Sequence, residues 1–379
     1  MQWFLRDRRR CSRNLSRVHE RAPQEAGTYR PYHSGFMSHP RSFQHTALSV
    51  PDQEFRVVRI LPKRHDSLIR CKLFHRPVGP LHYCYKALSY IWGPEKPTHT
   101  IEVDDCAFEV RENLWHFLCR AQTAFFNEAI FIDAICIDQT DVPERSKQVQ
   151  LMSNIYEGAA LVLSWLGEGD PVIEAAFPLA EAVAGKTVSE VEQMCRSEDR
   201  QQWLPIFMLS RLEYWDRIWI TQELIKPHSI TLLYGEQEMP WQSLQDFFSS
   251  IRQVGPDPIP LWYDITHRRM IRFLELRQLG HRRNMPMREH LMTWVTENCT
   301  EKRDMIFAFL GMGSDATEIE VDYAIFPADL FLKTLDLWGA TGGANALILG
   351  TVVDELLYHN MGLDDTAAGT FTVKFVHVR

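Results

Sequence analysis

No stretch of the 379-residue sequence approaches 18 consecutive apolar residues, so nothing in it reads as a membrane-spanning helix. Eight cysteines (Cys11, Cys71, Cys84, Cys106, Cys119, Cys136, Cys195 and Cys299) are scattered without one CxxC pair. That scatter provides neither zinc spacing nor a disulfide framework. It points to free thiols in a reducing compartment and hence to a cytoplasmic protein, with no metal expected. A GxSxG elbow and a GxGxxG turn are both missing, which removes the serine-hydrolase and dinucleotide fingerprints. Excess positive charge is missing too: the net charge of −8 argues against general nucleic-acid binding. Lysine is absent from residues 1–45, where nine Arg face only Asp7, Glu20 and Glu25. A presequence is one reading of that start; a disordered basic leader over residues 1–48 is the reading adopted, because the three acids interrupt the presequence pattern.

What is present is a chain of short apolar runs and capped helices. FRVVRIL (Phe55–Leu61) reads as a strand and Leu68–Phe74 as its partner across a polar turn. Tyr85–Trp92 reads as a buried strand, and Thr100–Val110 as a hairpin turning at Asp104-Asp105. Asn113 is placed to cap a helix that gathers Leu114, Phe117, Leu118 and Ala121 on one face. Ala129–Ile137 is then an apolar run broken only by Asp133, which predicts another buried strand. Asp141 and Glu144 make a capping box with Pro143 in the first turn, and Gly158 ends the helix they start. Ala160–Leu166 gives the next buried strand, so the stretch is a βαβ unit. Residues 171–210 and Tyr214–Leu224 read as helical, Ile230–Tyr234 as a strand and Trp241–Ile251 as a helix. Arg252–Leu261, rich in Pro, reads as a linker, and Met270–Phe309 as helix-rich. The expected organisation is an α/β domain over 49–251, a helical extension over 252–323 and a small C-terminal segment over 324–379. Ala184-Gly185-Lys186-Thr187 is not a phosphate loop, since Ala180 stands where the first glycine is needed.

Charges embedded in apolar motifs need partners, so they are the candidates for chemistry. Asp133 sits near the carboxyl end of the central strand, the edge at which open α/β sheets bind ligands. It is either a ligand contact or an anchor for a neighbouring loop; Asp138 reads as a turn residue. Ser89, Tyr90 and Trp92 close the preceding strand at the same kind of edge and are ligand-binding candidates on that ground, with packing the alternative. Trp165, Trp215 and Trp219 read as core, Glu144 and Arg145 as cap and solvated face, and Gln148 as surface.

The motifs also carry a resemblance. DAICIDQTDVPERSKQVQLMSNIYEGAALVLSWLG (Asp133–Gly167) resembles the central motif of the fungal heterokaryon-incompatibility (HET) domain family. YKALSYIWG (Tyr85–Gly93) resembles its opening motif and RLEYWDRIWITQEL (Arg211–Leu224) its third. RDMIFAFLGM (Arg303–Met312) resembles a segment that commonly follows. The four stand in the family's order, from about Glu54 to Tyr323; Asp138 departs from it where Asn is usual. The resemblance implies a TIR-like or flavodoxin-like α/β domain, with a parallel or mixed sheet flanked by helices and a helical C-terminal extension. It implies a role in non-self recognition that triggers programmed cell death, with protein partners met by self-association or as an allelic incompatibility protein. HET domains are regarded as distant relatives of TIR domains. In those that hydrolyse NAD, a helix with Trp followed by Glu carries the catalytic carboxylate. WDRIWITQE is similar in layout, which makes Glu223 the catalytic candidate and NAD a substrate rather than a cofactor. A carboxylate there would stabilise the oxocarbenium-like ribosyl centre as nicotinamide leaves. The third alternative is a scaffold that has lost both activities.

Overall fold

The computed structural model describes residues 41–341 apart from 64–67, 80–84, 196–199, 256–261, 267, 279–285, 288–289, 291–300 and 314–318. Residues 1–40 of the leader expected over 1–48, and residues 342–379 of the segment expected over 324–379, lie outside the described residues. Residues 42–48 do contribute to the fold. Ser42 bridges Ala107, Phe43 N–H donates to Ala107 O, and Leu48 is buried.

β-Branched and aromatic runs form nine strands: β1 (Glu54–Ile60), β2 (Arg70–Pro77), β3 (Lys86–Tyr90), β4 (Thr98–Val103), β5 (Cys106–Arg111), β6 (Ala129–Phe131), β7 (Leu161–Trp165), β8 (Ile230–Tyr234) and β9 (Gln237–Pro240). They join in one sheet in the order β5-β4-β2-β1-β6-β3-β7-β8-β9. The strands β6, β3, β7 and β8 are mutually parallel, and in chain order they run 2-1-3-4, the order of flavodoxin-like sheets. Antiparallel pairs β1–β2, β1–β6, β4–β5 and β8–β9 extend both sides, so the sheet is mixed. The α/β class expected from the runs is therefore the class observed. Burial explains the composition: in β3 and β7 four of five residues are buried, as strands covered on both faces require. The β4–β5 turn sits where expected, with φ of 49° at Asp104 and 64° at Asp105, the double left-handed turn that suits a tight hairpin.

Helices cover the sheet: α1 (Glu112–Ala124), the single turn α2 (Asp133–Cys136), α3 (Val142–Glu157), then α4 (Pro171–Glu174), α5 (Ala176–Val183), α6 (Val188–Cys195) and α7 (Leu204–Ser210). After them come α8 (Ile220–Ile225), α9 (Trp241–Val254), α10 (Trp262–Thr266) and α11 (Arg269–Gln278), and later helices at Asp304–Leu310 and Pro327–Thr341.

Four local expectations are corrected. The strand predicted over Ala129–Ile137 stops at Phe131, because Asp133 turns its own carboxylate onto Ala134 N–H (2.7 Å) and starts α2. Asn113 does not cap α1; it bridges Ile91 O (2.6 Å) and Trp165 Nε1 (2.9 Å). Asp141 caps α3 by accepting from Glu144 N–H (3.1 Å), but the Glu144 carboxylate leaves the box for a buried pair with Arg56 at 2.6 and 2.9 Å. Gln148 is fully buried and donates to Pro51 O (2.9 Å) and Glu54 O (2.7 Å), not to solvent.

The helix Asp304–Leu310 with Gly311, and the strip Val321–Tyr323, pack on α3 and α8. Ser153 Oγ donates to Gly311 O (2.9 Å), Gln222 Nε2 to Ala308 O (2.7 Å), and Val321 N–H to Gln150 Oε1 (2.8 Å). This strip forms one wall of the site.

Candidate functional site

Beyond Tyr90 the chain leaves the sheet edge as Ile91-Trp92-Gly93-Pro94, and Gly93 adopts φ 71°, a conformation that favours glycine. Beyond Phe131 comes Asp133. The two carboxyl ends meet: Trp92 Nε1 donates to Asp133 Oδ2 (2.9 Å), and Tyr90 lies near the same carboxylate. Burial pushes the Asp133 carboxyl up, against the opposing pull of Arg217 and Trp92.

The aromatic stretch after Arg211 is not the continuous helix expected from Tyr214 to Leu224. A 3-10 turn, Glu213–Asp216, gives way to extended backbone at Arg217 before α8 begins. The break folds Arg217 back onto Glu223, with Nη1 3.1 Å from Oε2 and Nη2 3.3 Å from Oε1. Ser89 Oγ donates to Glu223 Oε2 (2.5 Å), which makes Tyr214 OH the donor to Ser89 Oγ (2.7 Å). Glu223 is 1% exposed and Ser89 is sealed. Burial pushes the Glu223 carboxyl up, opposed by the Arg217 charge and the Ser89 hydroxyl. For Arg217, burial pulls downward, but the charges of Glu223 and Asp133 outweigh it and hold the guanidinium above its ordinary value.

These groups border a cleft of about 710 Å³, a size suited to a nucleotide or similar ligand. Trp92, Asp133 and Glu223 line it; Ser89 and Tyr90 do not, Ser89 acting from behind through its bond to Glu223 and Tyr90 lying near Asp133. Trp219 lines the cleft with Trp92, whereas Trp165 and Trp215 are core. Asp138 is outside it, accepting from Thr140 N–H (3.0 Å) and Oγ1 (2.6 Å) as a turn residue.

Five further lining residues have no counterpart among the sequence candidates: Arg111, Arg145, Arg217, Asp304 and Tyr323. Asp304 accepts from Trp219 Nε1 (2.9 Å) and Tyr323 OH (2.8 Å), and burial pushes its carboxyl up to about 6. The signal that could have found Arg217 is its place in WDRIWITQE itself; for Asp304 it is a lone acid opening the apolar run DMIFAFL. Among the described residues no group of three His, Cys, Asp or Glu is arranged to hold a metal ion.

Such a cleft, at the carboxyl edge of a parallel sheet, is the site that a flavodoxin-like order predicts. The family model described as "Heterokaryon incompatibility protein (HET)" matches residues 85–223. Over that stretch, then, the chain is similar to the HET family. The chain is also 25% identical to Heterokaryon incompatibility protein 6, OR allele, of Neurospora crassa, over 74% of this chain and 50% of that protein. It thus spans about half the length of the curated relative it matches. No solved structure matches the chain. No described helix is long and apolar enough to cross a membrane.

Proposed function

We propose that this protein acts in fungal heterokaryon incompatibility, as a cytoplasmic non-self recognition module that triggers programmed cell death, with the cleft as its working site. One observation carries the reading: Ser89, Tyr90, Trp92, Asp133 and Glu223 all fall inside the HET match, and they converge on the cleft or directly behind it. Its partners on this reading are proteins, either further copies of itself or an allelic incompatibility protein, and the helix faces of the α/β domain are the docking surfaces. Induced expression in a filamentous fungus tests it: growth arrest and vacuolated, dying hyphae are expected, and unimpaired growth at high protein level contradicts it.

A specific observation favours an enzymatic reading of the same site. Glu223 lines the cleft as a buried carboxylate held by Arg217 and oriented by Ser89. A fixed carboxylate in that setting suits stabilisation of a ribosyl cation during NAD hydrolysis. Purified full-length protein at high concentration should then consume NAD, with Glu223→Ala and Glu223→Gln inactive. Stable NAD in a self-associated preparation rules this reading out and leaves a recognition module.

A further inference from the structure

We propose that Arg145 is the anion-reading residue of the cleft, and that its ligand is a small molecule carrying phosphate beside a planar ring. The proposal rests on the reading of the cleft as the working site, and it concerns binding rather than catalysis.

The charged groups of the cleft differ in what the protein already gives them. Asp133 accepts from Trp92 and Ala134, Glu223 from Ser89 and Arg217, Asp304 from Trp219 and Tyr323, and Glu301 from Arg303 (2.8 Å). Arg111 donates to Gly93 O (2.7 Å) and lies over the Trp92 ring at 5.2 Å. Arg145 stands apart. Its guanidinium rests 4.3 Å from the Tyr323 ring centroid and lines the cleft, where its charge acts on Glu301 and Asp304, yet among the described residues no side-chain hydrogen bond or ion pair within 4 Å holds it. Its Nε is buried without a partner.

The buried Nε is shared with Arg56, Arg59, Arg70 and Arg76; what sets Arg145 apart is a guanidinium end at the cleft wall with no protein acceptor among the described residues, which an acceptor arriving with a ligand would satisfy. The cation–π contact with Tyr323 places the guanidinium at the cleft wall, and its fork of N–H groups matches the oxygens of a phosphate. The ring half of the ligand follows from the tryptophans. Trp92 and Trp219 have both committed their N–H to carboxylates, which fixes the indoles and leaves their apolar surface to pack against a flat group. The carboxylates do not forbid an anion. Arg217 with Glu223 and Arg303 with Glu301 cancel as pairs, burial raises the Asp133 and Asp304 carboxyls, and Arg111 stands in the same lining as Glu213.

The test is equilibrium binding of ADP and of adenosine to the full-length protein by calorimetry, in low and moderate salt. ADP should bind at least about tenfold more tightly than adenosine, the effect of one charge-assisted pair. Arg145→Gln should bring ADP down to the level of adenosine, at an unchanged melting temperature. Arg145→Lys keeps the charge but loses the fork, and should retain only part of the preference. If the Gln variant does not fold, the Lys variant decides: a reduced ADP preference supports the assignment. Equal affinities in the wild type, no ADP binding at millimolar concentration, or a preference untouched in both variants overturns it. A purely structural Arg145 would weaken both ligands alike, which also overturns it. NAD turnover, scored separately with Glu223→Gln, can fail while the ADP preference holds, so the two readings fall independently.

Discussion

Arg217 holds both carboxylate oxygens of Glu223, at 3.1 and 3.3 Å, although only six residues separate them. In a continuous helix positions six apart point about 120° away from each other. The extended backbone at Arg217 is what lets the pair form, and the pair sets a guanidinium against a buried carboxyl group beside the cleft. Arg217→Met strands that carboxylate, so stability at pH 7.5 should fall by about 3–5 kcal/mol. The deficit should shrink toward pH 4.5, where the stranded group takes up a proton. Urea unfolding at the two pH values reads this directly, and a deficit under about 1 kcal/mol or one independent of pH contradicts it.

Asp304 gives a pH dependence of defined sign. Its carboxyl is raised from an ordinary value of 3.8 to about 6 by burial, so the folded protein favours the protonated form. Its contribution is complete below about 3.8 and lost as pH rises through about 6. Asp304→Asn mimics the protonated state at every pH. Between pH 4 and 7.5 the wild type should therefore lose on the order of 2 kcal/mol relative to the variant. A difference that stays constant or moves the other way refutes the assignment.

Gly311 is demanded by space rather than by backbone conformation. A Cβ there would lie 2.1 Å from Ser153 Cβ and 2.6 Å from its Oγ, and would push the apolar helix Asp304–Leu310 off α3. Gly311→Ala should cost about 1–3 kcal/mol. Adding Ser153→Gly reopens the space, so the double variant should be more stable than the sum of the two single losses by about 1 kcal/mol or more. Thermal or urea unfolding of the four proteins measures that coupling; simple additivity would mean the two segments do not press on each other.

Much of the fold was legible because two-sided burial writes itself into short apolar runs: Lys86–Tyr90 and Leu161–Trp165 lie inside the predicted strands, and Asp104-Asp105 marks its hairpin. Polar residues on α3 misled, because their partners come from far upstream. Gln148 meets Pro51 and Glu54 across more than 90 residues, and Glu144 meets Arg56 across 88. Local signals gave Glu144 a capping role and Gln148 a solvent face, since nothing local announces that β1 will lie beside them. The site was half legible. Sheet-edge logic found Trp92 and Asp133, and the family resemblance found Glu223. Arg217 was hidden by the assumption of an unbroken helix. Arg145, Asp304 and Tyr323 were hidden because only the packing of the 301–323 strip on α3 brings them to the cleft.

The most direct test of the cleft as the working site is growth of a filamentous fungus under induced expression of the wild type and of Glu223→Gln, matched for protein level and melting temperature. The account predicts that the wild type arrests growth and that the variant, folded and equally abundant, lets colonies expand at least about ten times further. Equal killing by the two proteins would contradict it and place the activity elsewhere on the chain.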